Sequence, residues 1–362
     1  MTTARNRPKG KRHTAEVIPL PFVSTNNNNE QSNMETERKT TYDMELLKQL
    51  YCIYSPSGDE KRMRKFIRRY IRNNIPDCKI EQDQTGNLYV TKGQSDTYPC
   101  IVSHIDQVQK VHSRDFQAYE TGEVIFGYSS RNKRQEGLGA DDKNGIWICL
   151  QCLRNHDNIK AAFFVGEETG CIGSSKADLD FFRDCRFVLQ CDRRGKSDLI
   201  TNIGGWTALA SEEFIDATGY RNYGYKPETG LSTDVGELKE RGLGISVLNI
   251  SCGYYEPHTG HEMTIIPDLI NCLEFVRHII GTCIRTYPHE AEDCYDCYGY
   301  PYGYDKEFEM DELLEIIGDD VMANPGITAT ELKDMYGDWY DDLTLNDFET
   351  VLEECKAMYF MS

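Results

Sequence analysis

From residue 43 onward, apolar and polar positions fall into short blocks whose period alternates between helix and strand. MELLKQLYCIY carries apolar residues at helical spacing, and after Gly58-Asp59-Glu60 the run MRKFIRRYI predicts a second amphipathic helix with its arginines on the wet face. Short β-like runs follow at 88–91, 100–103 and 123–128, then a helix over 142–154. AAFFV (161–165) predicts a buried strand, 173–183 a helix, 187–190 and 245–250 strands, and 268–285 a long amphipathic helix. Strands alternating with helices predict an α/β sandwich.

The pattern lapses at both ends. Residues 1–42 hold few apolar groups beyond VIPLPFV and are expected to form a disordered tail. Residues 286–306 are Tyr- and Gly-rich without a period and are expected to act as a linker. Beyond it, helix patterns at 310–322, 330–335 and 345–358 predict a small helical module spanning 307–362. Asn324-Pro325-Gly326 separates the first two, Thr328 or Thr330 is placed to cap the second, and Thr344 or Asn346 the third.

Charge narrows the classes of function. The 362 residues hold 40 Lys+Arg against 59 Asp+Glu, a net charge of −19, which repels nucleic-acid phosphate and anionic lipid. From Asp305 onward, 17 acids and 3 bases leave −14, so the module reads as stabilising or as a dock for a protein partner rather than for DNA. No apolar run reaches membrane-helix length. The start MTTARNRPKGKRH lacks the apolar stretch of a secretory signal, and the 14 cysteines sit singly in apolar stretches. Buried thiols in a reducing compartment are expected, hence a cytoplasmic location.

Four polar segments, each following a β-like run, carry candidate chemistry, and a Gly-rich turn carries a fifth. In Ser103-His104-Ile105-Asp106, positions i and i+2 of a strand share a face, so Asp106 can take the second ring N–H of a ligating His104. Gly137-Leu138-Gly139-Ala140-Asp141-Asp142 places two carboxylates at a helix start, where an N-cap accounts for one of them. Glu167-Glu168 follows AAFFV, and Asp192 ends the strand FVLQ. His258 lies in PHTGHE, after GISVLNIS and a Gly-Tyr-Tyr loop. Adjacent carboxylates in a poorly solvated place call for a positive counterpart. Taken together, His104, Asp141, Glu168, Asp192 and His258 form a ligand set suited to zinc, with cobalt or manganese as substitutes. Three ligating carboxylates plus Glu167 carry four negative charges, which two divalent cations balance.

The segments SHID, GADDKNG, GEETGCIGS, CD, STDVGEL and PHTGHE, in this order, resemble the co-catalytic di-zinc exopeptidase clan, its peptidase T-like tripeptidases and glutamyl aminopeptidases above all. The opening LLKQLYCIYSPSGDE…QDQTGNLYV is similar as well, and the likeness runs from about residue 44 to 285. It implies a three-layer α/β/α sandwich with a mixed central sheet over 43–285. It also implies His104 and Asp192 on one Zn2+, Glu168 and His258 on the other, and Asp141 bridging them. A cis Asp141–Asp142 peptide follows, with Asp106 orienting His104 and Glu167 as general base and acid. Asp234 would line the site and Glu262 would play a structural role. The implied substrates are short peptides. The intervals 104–141 and 192–258 are too short for the ~50 or more residues of an inserted domain, so the clan's lid is expected to be missing.

An N-acyl amino acid amidohydrolase of the same clan, and a non-enzymatic interaction protein using the acidic module, stay open. His13, His112, His156, His278 and His289 read as surface or structural, and His261 is noted for lying three residues from His258. Cys171 reads as packing, and Cys294-x-x-Cys297 lacks the second pair of a zinc site.

Overall fold

Alternation of side chains along the central strands divides the apolar residues between two cores. The computed structural model describes residues 42–290 and, beyond them, helical residues within 310–322 together with 324–336 and 343–360. A nine-stranded mixed sheet runs in the order β1 (Cys78–Gln82), β2 (Leu88–Lys92), β7 (Ile159–Phe164), β3 (Tyr98–His104), β8 (Cys185–Arg193), β12 (Val247–Ser251), β9 (Asp198–Ile203) and β10 (Thr207–Ala208), with β11 (Lys226–Gly230) also on β9. The four central strands β7, β3, β8 and β12 are parallel, and antiparallel strands flank them. Ile101, Ala161, Leu189 and Leu248 enter one core, and their neighbours Val102, Ala162, Val188 and Val247 enter the other.

Against the first face lie α1 (Met44–Tyr51), α2 (Lys61–Asn74), α3 (Ala140–Asn155), α4 (Glu212–Ala217) and α6 (Ile266–Thr282). The second face is covered by α5 (Asp234–Glu240) and by short 3-10 turns. The result is the expected three-layer α/β/α sandwich. Helix α2 buries only Met63, Ile67 and Ile71, one stripe at helical spacing, which leaves Arg62, Arg69 and Arg72 exposed while half-buried Arg64 donates to the Gly86 carbonyl (3.1 Å). A second, five-stranded sheet joins β4 (Phe116–Thr121), β5 (Val124–Ser129) and β6 (Arg134–Gln135) to β13 (Tyr254–Tyr255) and β14 (Met263–Ile265).

One expectation changes. The stretch 173–183 is two 3-10 turns, Ser174–Lys176 and Leu179–Phe182, rather than one helix. The Arg241 guanidinium takes the carbonyls of Ser174 (2.6 Å) and Ala177 (3.0 Å) that a helix would use, and Asp178 caps the second turn. Within the predicted linker, residues 286–290 are ordered against the sheet. Tyr287 is buried over Phe214, and its backbone bonds to Arg186 and Ser246.

The expected tail up to residue 41, the rest of the linker and Cys294-x-x-Cys297 lie outside the described residues. Ala329–Tyr336 and Leu345–Phe360 are helices sharing a core of Leu332, Phe348, Val351 and Cys355 with Leu313, Ile317 and Val321. Of the alternative caps, Thr328 pairs reciprocally with Glu331, and Thr344 donates to Asp347. Among the described residues no helix is long and apolar enough to cross a membrane, and the cysteines are free thiols.

Candidate metal centre

The carboxyl ends of the parallel strands open on one cleft, where sites gather in open α/β sheets. His104 ends β3, Asp192 stands one residue before the end of β8, and Glu167-Glu168 follow β7 in a one-turn 3-10 helix. Asp141 enters from the start of α3, and His258 from the loop between β13 and β14. Gly166 (φ 62°) and Gly139 (φ 62°) make the sharp turns that aim these segments inward. A side chain at Gly139 would also collide with the Lys143 ammonium, 2.8 Å from its Cβ position.

Five residues far apart in sequence meet there. Asp141 stands between the two imidazoles, Oδ1 at 2.9 Å from His104 Nε2 and Oδ2 at 3.4 Å from His258 Nε2. Asp192 Oδ1 is 3.6 Å from His104 Nε2, and Glu168 Oε2 is 3.2 Å from His258 Nε2. Glu167 Oε2 reaches 3.9 Å from His104 Nε2. Three overlapping groups have ligand-capable atoms within 4.8 Å of one another: His104/Asp142/Asp192, His104/Glu167/Glu168 and Asp141/Glu168/His258. Asp142 is committed elsewhere, accepting from the backbone N–H of His104 (3.3 Å) and of Gly145 (3.0 Å). The Asp141–Asp142 peptide is cis.

Burial and mutual repulsion dominate the electrostatics. Desolvation pushes the Asp192 and Glu167 carboxyls well above the usual range, and neighbouring carboxylates add to it. Glu168 moves up for the same reasons. Burial works against a charged His104, but Asp192, Asp106 and Asp141 outweigh it and hold the imidazole well above its ordinary value. Asp141 goes the other way: desolvation is overcome by the two imidazoles, and it sits well below the carboxylate range. Glu168 Oε1 is buried with no hydrogen-bond partner. An orphaned carboxylate oxygen beside two imidazoles and three further acids is a donor set that fits divalent cations.

Around these groups lies a second ring of partners. Asp106 Oδ1 is 3.3 Å from His104 Nδ1, and its carboxylate also accepts from Ser57 (2.8 Å) and the backbone N–H groups of Glu167 (3.1 Å) and Glu168 (3.3 Å). It therefore fixes both a histidine and the turn bearing the glutamates. Glu262 accepts from the backbone N–H groups of Gly139 (2.5 Å) and Asp141 (3.2 Å) and from Gln109 (3.1 Å). Buried Lys143, pushed down to about 7 by desolvation, donates to Gln107 and to the Leu138 carbonyl. Asp234, pushed up to about 7 by burial, accepts from Ser174 (2.5 Å) at the edge of the cleft.

Sequence reasoning missed Ser57, Gln107, Gln109, Gln190 and Tyr254. Gln190 and Tyr254 both donate to Asp192, and the Gly-Tyr-Tyr loop was the one available signal. His261 is exposed, 3.5 Å from Gln135, and joins none of the metal-capable groups; neither do His112, His156, His278 and His289. Cys171 is buried, its thiol pushed far up by desolvation.

No family model and no curated relative matches the chain. Solved structures do. Aminopeptidase PepT from Bacillus cereus aligns with a TM-score of 0.55 at 16% identity, over 67% of this chain and 98% of that one. A tripeptidase from Staphylococcus aureus gives 0.53 at 15% identity, over 66% and 97%. An aminopeptidase from the archaeon Desulfurococcus kamchatkensis gives 0.52 at 15%, over 65% and 93%. At these identities the likeness is one of fold: the sandwich has the architecture of these peptidases.

Proposed function

We propose that the chain is a di-metal exopeptidase that hydrolyses short peptides from the amino end. The observation that carries the reading is the position of Asp141, with one carboxylate oxygen toward each of two histidines that are themselves flanked by Asp192 and Glu168. His104 and Asp192 would hold one cation, Glu168 and His258 the second, and Asp141 both, with zinc the best match to the donors. When bound, such cations supply Lewis acidity toward a carbonyl and bring the pKa of water down to about 7.

The chain's own residues do the rest. Glu167, whose Oε2 lies 3.9 Å from His104 Nε2, takes a proton from the attacking water and returns it to the leaving amine. Asp106 keeps His104 in one tautomer and ties the Glu167–Glu168 backbone to it. Glu262 holds the backbone N–H groups of Gly139 and Asp141, and Lys143 holds the Leu138 carbonyl just before them. The same reading takes 43–285 as a lidless catalytic domain in the cytoplasm, 286–306 as its connection and 307–362 as an accessory helical module.

Digestion of a peptide library with and without chelator, read by mass, tests the activity. Loss of single amino-terminal residues that chelator stops is expected. Release of acyl groups from N-acyl amino acids with peptides left intact would assign the amidohydrolase reading instead.

A further inference from the structure

Beside His258 the cleft continues into a cavity of about 190 Å³ whose chemistry is opposite to that of the metal centre. Its walls come from the segment after β3, bearing Gln109, Lys110 and Val111, from β6 and its flank, bearing Arg134 to Glu136, and from the turn at Thr259 and Gly260. Two cations thus border a single cavity in a chain of net charge −19. Lys110 is exposed and has no carboxylate partner among the described residues. Arg134 is half-exposed along its side chain and meets Glu136 only through Nε, at 3.3 Å. Glu136 is itself satisfied by the Ser113 backbone N–H (2.8 Å) and hydroxyl (2.6 Å); burial pushes its carboxyl up, and these bonds outweigh it and bring it below the usual value. The outer nitrogens of Arg134 are therefore left for something else, and a guanidinium edge pairs best with a planar carboxylate.

The cavity is anchored to the chemistry. His258 lines it and also reaches Asp141 and Glu168, so an occupant of the cavity abuts the metal centre. Its floor is closely packed: a Cβ at Gly137 would meet the Thr259 carbonyl oxygen at 2.5 Å and Gln109 Cγ at 2.6 Å. Gln109 in turn is held by Glu262, the residue that also fixes the Asp141 turn. Val111, 44% exposed, supplies an apolar wall beside the two cations.

We infer that Lys110 and Arg134 form a carboxylate-binding subsite that selects substrates with an anionic group on the His258 side of the cleavage point. The inference rests on the peptidase reading for its location, and it assigns the substrate class that the metal ligands alone leave open. A carboxylate can come from the free terminus of a short peptide or from an acidic side chain, and both present the same planar pair of oxygens.

The experiment compares Ala-Ala-Ala, its C-terminal amide, and the amides of Ala-Ala-Glu and Ala-Ala-Gln, as substrates of the metal-loaded full chain and as calorimetric ligands of its Glu167→Gln variant. The native chain should favour the free acid over the amide by about tenfold or more in kcat/KM, mostly through KM. Preference for Glu over Gln in the amides instead would assign the side chain as the anion's source. Lys110→Gln/Arg134→Gln should abolish either preference, Lys110→Glu/Arg134→Glu should reverse it, and Lys110→Arg should keep it. Equal use of all four peptides, or a preference that survives the double charge reversal, overturns the subsite. If nothing is hydrolysed, calorimetry still decides: tighter binding of the carboxylate peptides, lost in the double variant, keeps the subsite and sinks the peptidase reading, and no difference sinks both.

Discussion

In the cleft, Asp141, Glu168 and Asp192 lie largely buried against fully buried His104 and half-exposed His258, and Asp106 and Glu262 are each tied to two backbone N–H groups. In the C-terminal helices, Glu331 and Asp347 fold back on Thr328 and Thr344 at helix starts, while Glu349, Glu353 and Glu354 stand on the outer faces or their margins. Both regions are acidic, yet among the described residues it is in the first that repulsion and desolvation raise the proton affinity of Glu167, Glu168 and Asp192. Such an arrangement opposes folding unless cations or protons offset it. The described acids of the second stand in solvent or at helix starts, and its core of Leu332, Phe348 and Val351 is sufficient reason for its shape. Acidic composition alone therefore says little, and burial separates chemistry from solvation.

Substitutions sharpen that contrast. Glu167→Gln should lower peptide turnover by about 100- to 10,000-fold while the metal content measured by mass spectrometry stays at the native value. Retained turnover would remove Glu167 from the reaction. In the other region Phe348→Ala opens the shared core and should cost about 3–5 kcal/mol locally. Hydrogen exchange should then speed up across Leu345–Phe360 while peptide hydrolysis persists, and a parallel loss of hydrolysis would tie the module to the cleft.

Smaller effects follow from positioning groups. Glu262→Gln leaves one oxygen for the donors at Gly139, Asp141 and Gln109, so metal affinity should fall by about 10- to 100-fold in a chelator competition. Thr344→Ala removes the hydroxyl that donates to Asp347 at the start of the last helix and should destabilise that helix by about 1 kcal/mol, read as a lower thermal midpoint, with metal affinity unaffected.

The sandwich was legible because buried parallel strands write continuous apolar runs, as in AAFFV, and a charged residue at the end of such a run marks the functional edge of the sheet. His104, Glu167, Glu168 and Asp192 all sit at such places. Elements decided by distant partners were not legible. The 173–183 stretch has helical periodicity, but Arg241, more than sixty positions away, claims its carbonyls. Strand β4 has one buried residue in six and β11 carries Pro and Gly, so neither shows an alternation to read. Gln107, Gln109 and Ser57 are ordinary polar residues whose role exists only through what they touch.

Diffraction from crystals grown with zinc, recorded above and below the zinc absorption edge, tests the central claim most directly. Two anomalous peaks about 3.5–4 Å apart are expected, one beside His104 and Asp192, the other beside Glu168 and His258, with Asp141 touching both. A single peak, or peaks away from these side chains, would contradict the account.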